Sequence, residues 1–328
     1  MKVAVFSTKS YDKTYLDNFN NNENQLTYFD IPLNADTAKL AVDFEAVCVF
    51  VSDKVDRKTI EILAKNGVKL IDLRCAGFNN VDIEAAKEYQ IKVLRVPAYS
   101  PQSVAEHAVA LILTLNRKTH KAYNRVRESN FALENLMGFN LFGKTVGVIG
   151  TGKIGIAFSQ IMIGFGCKVL AYDVFESPIL KEKGVEYKSL DDILTTADII
   201  SLHCPLTPDT HHIFDKMAFS KIKKGTMLIN TSRGGLVNTS DAIDALKHGQ
   251  LGYLGIDVYE QEENLFFKDL SGSLIQDDLI ERLMSFHNVL ITPHQGFFTH
   301  EALTQIAITT MKNFADFERG VHLENEVK

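Results

Sequence analysis

Three side chains of the kinds that bind and protonate small acids each follow an apolar stretch of the sequence: Arg233, Glu262 and His294. An Arg guanidinium holds a carboxylate through two parallel hydrogen bonds, which a Lys cannot reproduce. A carboxylate from the run that follows the strand, Asp257 to Glu262, would stabilise the charged imidazole of His294 and suit it to donate a proton. One such residue alone is more often structural, but the set predicts a site that holds an acid and protonates an oxygen beside it.

A glycine-rich turn stands between the strand predicted over residues 144–149 and the helix predicted over Ile156–Phe165. This order of strand, turn and helix is typical of a dinucleotide-binding site. We expect Gly150 to permit the tight turn, Gly152 to let the backbone approach a pyrophosphate, and Gly155 to let the helix pack close to the sheet. The free N–H groups at the start of the helix would then bind the phosphates.

Asp173 ends the second predicted strand of this region, 18 residues after Gly155, where a partner for a ribose hydroxyl is expected. A carboxylate accepts a hydrogen bond from the ribose diol, whereas a 2′-phosphate at about 4 Å would be repelled by about 4 kcal/mol at an effective dielectric near 20. The alternative, that Asp173 only caps the turn before Pro178, does not explain its spacing from the glycines. The sequence therefore predicts NAD rather than NADP, and hydride transfer to or from a small 2-oxo or 2-hydroxy acid.

Apolar runs alternate with helical stretches in two series, one before Pro97 and one from residue 145 onward. The alternation is typical of βαβ units. Continuous apolar strands such as Val146–Ile149 and Ile199–Leu202 indicate sheets covered by helices on both faces. The predicted fold class is therefore α/β, with doubly wound parallel sheets in two domains. A helical segment from Ser103 to about Asn130 interrupts the two series.

The composition is that of a folded chain, and it does not indicate a strongly charged surface for binding a partner. Its 328 residues, 45% hydrophobic and 23% charged, suit two globular domains. A net charge of −6 and the lack of a dense Lys/Arg run argue against a nucleic-acid partner. We expect a cytoplasmic protein with no membrane partner, because the chain opens on a strand and its most apolar helical stretch is too short to cross a bilayer. The four cysteines form no CxxC pair, so we expect buried thiols and no metal.

Beyond the glycine turn, four short motifs stand out in the second half of the chain: His203-Cys-Pro-Leu-Thr-Pro, Asn230-Thr-Ser-Arg-Gly, Asp257-Val-Tyr-Glu and Thr292-Pro-His. In this order and spacing they resemble the D-isomer-specific 2-hydroxyacid dehydrogenases, and the resemblance covers nearly the whole chain. Three further segments are most similar to the family members that interconvert pyruvate and D-lactate: Leu73-Arg-Cys-Ala-Gly-Phe-Asn-Asn, Val96-Pro-Ala-Tyr-Ser-Pro and Glu263-Asn-Leu-Phe-Phe-Lys-Asp.

The resemblance implies a role for each site residue. Arg233 would hold the substrate carboxylate, His294 would give the proton to the keto oxygen, and Glu262 would hydrogen-bond His294. Glu263 is the alternative partner of His294, and spacing from Asp257 favours Glu262. Asp257 would support the cofactor side of the site. The other implied cofactor contacts are Lys153, Ile154, Cys204, Pro205, Thr231 and Ser232. The other implied substrate contacts are Phe50, the loop with Arg74, Ala76 and Gly77, the Tyr99 hydroxyl, and Phe298. The bulky Phe rings favour pyruvate and D-lactate over branched acids.

The resemblance also implies an architecture and an assembly. Residues 1–98 and 299–328 would form a flavodoxin-like substrate domain, to which the predicted final helix, His300 to Glu318, returns. Residues 99–298 would form a Rossmann-type NAD-binding domain. Substrate would bind in the cleft between the two, whose closure would exclude water. The segment at about 103–130 would form a dimer interface, and the family implies a homodimer or a homotetramer.

Two kinds of alternative remain open from the sequence. The substrate could be a different acid, such as glyoxylate, hydroxyisocaproate or phosphoglycerate, although phosphoglycerate would call for more cations near the substrate loop than Arg74 alone. The chain could also be a non-catalytic NAD-sensing corepressor on the same fold, since a fold does not determine a function. A binding module would have little need of Arg233, Glu262 and His294 together at strand ends.

Overall fold

The computed structural model describes residues 1–328, apart from the side chain of Asn264, and the chain forms two compact units. Unit 1 consists of Met1–Ser100 and Phe297–Lys328, and unit 2 of Pro101–Gly296.

Unit 1 is built on a five-stranded parallel sheet in the order β2-β1-β3-β4-β5. Its strands are β1 Lys2–Val5, β2 Gln25–Tyr28, β3 Ala46–Val49, β4 Leu70–Leu73 and β5 Lys92–Arg95. Its helices are α1 Ser10–Asn20, α2 Arg57–Lys65, α3 Ile83–Glu88 and α12 His300–Glu318. The strand order is that of flavodoxin-like folds.

The central strands of unit 1 are buried on both faces, as their unbroken apolar sequence predicts. Every residue of β3 and β4 is buried. The C-terminal helix α12 places Ala307, Met311 and Phe314 in the same apolar cluster as Val3 and Leu16. The apolar stripe of this helix thus completes the core of unit 1.

Unit 2 is built on a seven-stranded parallel sheet in the order β12-β11-β10-β9-β6-β7-β8. Its strands are β6 Thr145–Ile149, β7 Lys168–Tyr172, β8 Glu186–Tyr187, β9 Ile199–Leu202, β10 Thr226–Asn230, β11 Leu251–Ile256 and β12 Val289–Ile291. Its helices are α4 Pro101–Arg117, α5 Thr119–Arg127, α6 Lys153–Gly164, α7 Pro178–Glu182, α8 Leu190–Thr196, α9 Lys216–Lys221, α10 Thr239–Lys247 and α11 Asp278–Met284. The order reverses between β6 and β9, where doubly wound sheets bind their ligands. The predicted α/β class with two parallel-sheet domains is confirmed.

The helical segment predicted from Ser103 to about Asn130 is present as two helices, α4 and α5, because Lys118 takes a left-handed backbone with φ 51° and separates them. One predicted helix bound was wrong. Helix α6 begins at Lys153 rather than at Ile156. Its first turn therefore lies inside the glycine motif, with Gly152 at the N-cap.

In the part of the chain that the structure describes, we find no helix with the length and apolar character needed to span a membrane.

Candidate functional site

Predicted site residues of unit 2 come directly after the last paired residues of neighbouring strands. Tyr172 pairs with Ile149, Ile149 with Leu202, Leu202 with Asn230, Asn230 with Ile256 and Ile256 with Ile291. The residues that come next along each strand are Asp173, Gly150, His203, Thr231, Asp257 and Thr292. The parallel register thus brings six separate sequence motifs to the carboxyl edge of one sheet, where such folds place their ligands.

The glycine turn has the backbone that a dinucleotide site requires. Gly150 has φ 94°, and a Cβ there would lie 2.4 Å from the backbone nitrogen of Cys204. A Cβ at Gly155 would lie 2.0 Å from the carbonyl oxygen of Gly150, so only a glycine fits in this first turn of α6. At Gly152, in contrast, a Cβ would meet no atom within 4 Å. The turn is therefore closed on the protein side and open at Gly152, where the backbone is accessible to a phosphate.

Asp173 follows the last residue of β7 and is also hydrogen-bonded to the glycine turn. Its Oδ2 accepts hydrogen bonds from the backbone nitrogen and the hydroxyl of Thr151, and its Oδ1 accepts from the backbone nitrogen of Phe175. Partial burial opposes ionisation, but these bonds lower the pKa of Asp173. A carboxylate offers about four acceptor positions, so capacity remains for a ribose hydroxyl.

The turn after β10 shapes the surroundings of Arg233. Asn230 accepts a hydrogen bond from the backbone nitrogen of Ser232 and donates one to the carbonyl of Arg233. The Ser232 hydroxyl donates to the carbonyl of Cys204, which joins two of the predicted cofactor contacts. The hydroxyl of Thr231 is buried without a hydrogen-bond partner among the described residues. A buried polar atom of this kind is available to a bound ligand.

His294 and Glu262 are brought together across 32 residues of sequence. Nδ1 of His294 lies 3.0 Å from Oε1 of Glu262, and the two side chains are 17% and 22% exposed. Oε2 of Glu262 accepts from the backbone nitrogen of Tyr259, which fixes the carboxylate. His294 has φ 55°, a left-handed conformation that is uncommon for residues other than glycine. The pairing that spacing favoured for Glu262 is the one that the structure contains.

Asp257 is held by a hydrogen-bond network that sequence reasoning missed. Its carboxylate accepts from the Thr292 hydroxyl and from the backbone nitrogens of Gln295 and Gly296. Nε2 of His107 lies 3.2 Å from Oδ1 of Asp257. Burial opposes ionisation of Asp257, but the hydrogen bonds from His107 and Thr292 lower its pKa.

The network around Asp257 fixes the backbone on the C-terminal side of His294, which is the main consequence for the site. A signal for His107 was present in the sequence: it is a polar residue within an otherwise apolar helical stretch, now seen to be part of α4.

The remaining predicted cofactor contacts also border the site edge of unit 2. Lys153 and Ile154 open helix α6, and Cys204 and Pro205 follow β9. Burial raises the pKa of the Cys204 thiol to about 11. Burial likewise lowers the pKa of His203 to about 3, so this imidazole is neutral and does not compete with His294 as an acid.

Arg74, one of the predicted substrate contacts, is enclosed in unit 1. Its side chain is 1% exposed, its Nε donates to Oδ1 of Asp12 at 3.2 Å, and its Nη2 donates to the carbonyl of Ser7. The guanidinium also lies over the ring of Phe50, 5.0 Å from its centroid. Its Nη1 is buried without a hydrogen-bond partner among the described residues. These contacts fix Arg74 at the start of the loop that contains Ala76 and Gly77, and its expected contact with the substrate stays a prediction.

Three other predicted substrate residues of unit 1, Phe50, Tyr99 and Phe298, belong to an aromatic cluster, while Ala76 and Gly77 are partly buried in the loop after β4. Phe297, which the sequence did not single out, has its ring centroid 5.8 Å from Phe50, 6.3 Å from Tyr99 and 6.1 Å from Phe298. Tyr11, also missed, meets Phe298 edge-on at 4.7 Å. Phe50 is 7% exposed and Phe298 is 50% exposed. Phe298 is thus the most open of the predicted pair, while Phe50 supports the cluster from within.

Comparison with known proteins agrees with this geometry. Residues 109–296 match the family model described as D-isomer specific 2-hydroxyacid dehydrogenase, NAD binding domain. The D-lactate dehydrogenase of Escherichia coli is 53% identical over 328 residues, with 100% of each chain covered. The solved pyruvate reductase of Chlamydomonas reinhardtii is 46% identical with a TM-score of 0.93, covering 99% of this chain and 98% of that one. A D-lactate dehydrogenase from Lactobacillus jensenii, solved with NAD+, is 32% identical with a TM-score of 0.82 and full coverage of both chains.

Proposed function

The chain belongs to the D-isomer-specific 2-hydroxyacid dehydrogenases, and from this premise we propose that it reduces pyruvate to D-lactate with NADH, reversibly. The observation that carries the proposal is the His294 and Glu262 pair at the sheet edge that also holds Arg233 and the glycine turn. The parallel strands thus bring a proton donor, a carboxylate-binding cation and a dinucleotide site to the same edge of the sheet.

The residues of unit 2 fit NAD. The open backbone at Gly152 and the N-terminus of α6 suit the pyrophosphate, and Asp173 suits the ribose diol while disfavouring a 2′-phosphate. The unpartnered hydroxyl of Thr231 offers a further polar contact. When bound, NADH supplies the hydride for the reduction.

Arg233 and His294 have different roles: Arg233 binds the substrate and His294 exchanges a proton with it. The guanidinium of Arg233 binds the substrate carboxylate and thereby orients the adjacent carbonyl. His294, held at Nδ1 by Glu262, donates the proton from its other ring nitrogen to the carbonyl oxygen as negative charge develops there. In the reverse direction the same nitrogen accepts the proton of the hydroxyl, and Glu262 stabilises the resulting imidazolium.

The aromatic residues of unit 1 support a small substrate. We propose that Tyr99 and Phe298, with backbone groups of Ala76 and Gly77, bind the acid, and that the bulk of the rings limits its side chain to about a methyl group. A change of one methylene in such a site is worth about 1–3 kcal/mol. Two relatives whose names include D-lactate dehydrogenase or pyruvate reductase, at 53% and 46% identity, support the same substrate.

The predicted interface segment at about 103–130 and the residues after it expose large apolar side chains, which supports a homo-oligomer. Tyr123 and Val126 of the segment are 62% and 50% exposed, and the residues after it include Phe131, Leu133, Met137 and Phe142 at 73%, 80%, 86% and 79%. Large apolar side chains open to water are typical of a protein interface. We propose that the segment at about 103–130, with the residues to 142 that follow it, packs against a second copy of the chain in a homodimer or a homotetramer.

To test the proposal, a panel of 2-oxo acids is assayed with NADH and with NADPH, and the chirality of each product is determined. We expect the highest kcat/KM for pyruvate with NADH and D-lactate as the product. Formation of L-lactate would contradict the proposal outright. A higher kcat/KM for glyoxylate or a branched 2-oxo acid would keep the family and change the substrate.

A further inference from the structure

His211, His212 and Glu260 form a cluster outside the machinery described above. One ligand atom from each of the three lies within 4.8 Å of the others. Nε2 of His212 is 2.6 Å from Oε1 of Glu260, and the two imidazole rings have centroids 3.8 Å apart. The cluster is open on one side, because His211 is exposed while His212 and Glu260 are partly buried.

The backbone around the cluster is held in place. The backbone nitrogen of His212 donates to the carbonyl of Gly235, and His212 has a left-handed backbone with φ 53°. Oε2 of Glu260 accepts from the backbone nitrogen and the hydroxyl of Thr239. These hydrogen bonds fix the orientation of the Glu260 carboxylate, as hydrogen bonds from neighbouring groups do for the ligands of metal ions.

Two imidazoles and one carboxylate are a ligand set that zinc accepts. Tetrahedral bonds of about 2.1 Å place ligand atoms about 3.4 Å apart. This distance lies between the 2.6 Å that separates Nε2 of His212 from Oε1 of Glu260 and the 4.8 Å limit of the cluster. A modest opening of the His212 and Glu260 pair and a rotation of the exposed His211 ring would meet this geometry.

We propose that His211, His212 and Glu260 bind a divalent transition-metal ion of the zinc type, with water completing the coordination. Our expectation of no metal rested on the cysteine pattern, which does not bear on a site of this composition. The site adjoins the turn after Arg233, since a Cβ at Gly234 would lie 2.4 Å from the backbone nitrogen of Glu260. The proposal does not depend on which acid the protein reduces.

Calorimetric titration of the full-length, metal-free protein with zinc at pH 7.5, where unperturbed imidazoles are mostly neutral, tests the site. The informative variant is His211→Asn, because that side chain is exposed and its loss should leave the fold intact. The matched control is His322→Asn, an exposed histidine in unit 1. We expect one zinc ion per chain to be lost, or bound at least about tenfold more weakly, in His211→Asn only.

Cobalt(II) gives a second readout that does not depend on activity. A site with nitrogen and oxygen ligands in tetrahedral geometry shows intense visible absorption, which we expect in the wild type and in His322→Asn and not in His211→Asn. Zinc affinity and cobalt spectrum unchanged in His211→Asn would overturn the proposal. So would loss of the zinc ion in His294→Ala with retention in His211→Asn, because that pattern would locate the ion at His294 and Glu262.

Discussion

Nδ1 of His294 lies 3.0 Å from Oε1 of Glu262, and this contact decides which ring nitrogen can serve the substrate. A carboxylate at Nδ1 keeps a proton on that nitrogen, so Nε2 is the atom left to exchange a proton with a ligand. The same contact places a carboxylate beside the ring that gives up its proton when the protein reduces a carbonyl.

Glu262→Gln should lower kcat for pyruvate reduction by roughly a hundredfold, because an amide neither stabilises the imidazolium nor selects its tautomer. Binding of NADH, followed by fluorescence titration, should change little. Glu263→Gln is the matched control: it is the neighbouring exposed carboxylate, and it should retain near wild-type kcat. The reverse pattern would assign the partnership to Glu263.

Arg233→Lys should raise the KM for pyruvate by about tenfold or more, with a smaller effect on kcat, because an ammonium cannot form the two parallel hydrogen bonds of a guanidinium. Steady-state kinetics at saturating NADH measures the effect. Arg282→Lys, an exposed cation on α11, controls for the change of charge type. A variant with unchanged KM would show that Arg233 does not hold the carboxylate.

Asp173→Asn should narrow the preference for NADH over NADPH by about tenfold or more in kcat/KM, since removing the charge relieves a repulsion on the order of 4 kcal/mol before solvent screening. The amide oxygen can still accept from the backbone nitrogen of Thr151, so the turn should persist. Asp209→Asn, an exposed carboxylate after β9, should leave the ratio as it is. An unchanged ratio in Asp173→Asn would exclude electrostatic selection at this residue.

Asp72 makes stability depend on pH. It is completely buried on β4, and burial raises its pKa to about 7, although the hydrogen bond from Asn313 and the charge of Arg74 oppose the rise. Between about pH 4 and pH 7 the folded chain keeps a proton that the unfolded chain has lost, so the free energy of unfolding falls as pH rises through this window.

Asp72→Asn removes this titration and should therefore gain stability relative to the wild type by about 1–3 kcal/mol between pH 5 and pH 8. Denaturant unfolding of both proteins at pH 5 and pH 8 measures this difference in the free energy of unfolding. The contributions of the other titratable groups are the same in both proteins and cancel. Parallel pH profiles for the two proteins would contradict the raised pKa.

Leu133→Glu should disrupt the proposed homo-oligomer, because a charge in a buried interface is costly when it has no partner. Light scattering after size-exclusion chromatography should show at most half the wild-type mass. Met217→Glu, at a side chain that is 66% exposed on α9, should keep the wild-type mass. A wild-type protein that is monomeric at micromolar concentration would refute the oligomer itself.

Much of unit 2 could be predicted because its signals are local. Strand β6, the glycine turn and Asp173 lie within about 30 residues, and their chemistry follows from backbone freedom and charge. The start of α6 could not be placed as well, because Gly155 looks like a helix breaker until its contact with the Gly150 carbonyl is known. Lys118 carries no sequence sign of its left-handed conformation, so the break between α4 and α5 was missed.

The sequence by itself determined the two parallel sheets, the nucleotide motif and the residue types that handle an acid, since periodicity and spacing are properties of the chain. Tertiary structure decided the contacts that spacing along the chain does not predict. It brought the predicted partners His294 and Glu262 to 3.0 Å, placed His107 of α4 against Asp257, and buried Arg74 beside Asp12 in unit 1. Such pairings depend on through-space distance and desolvation, and neither quantity is encoded in any single segment.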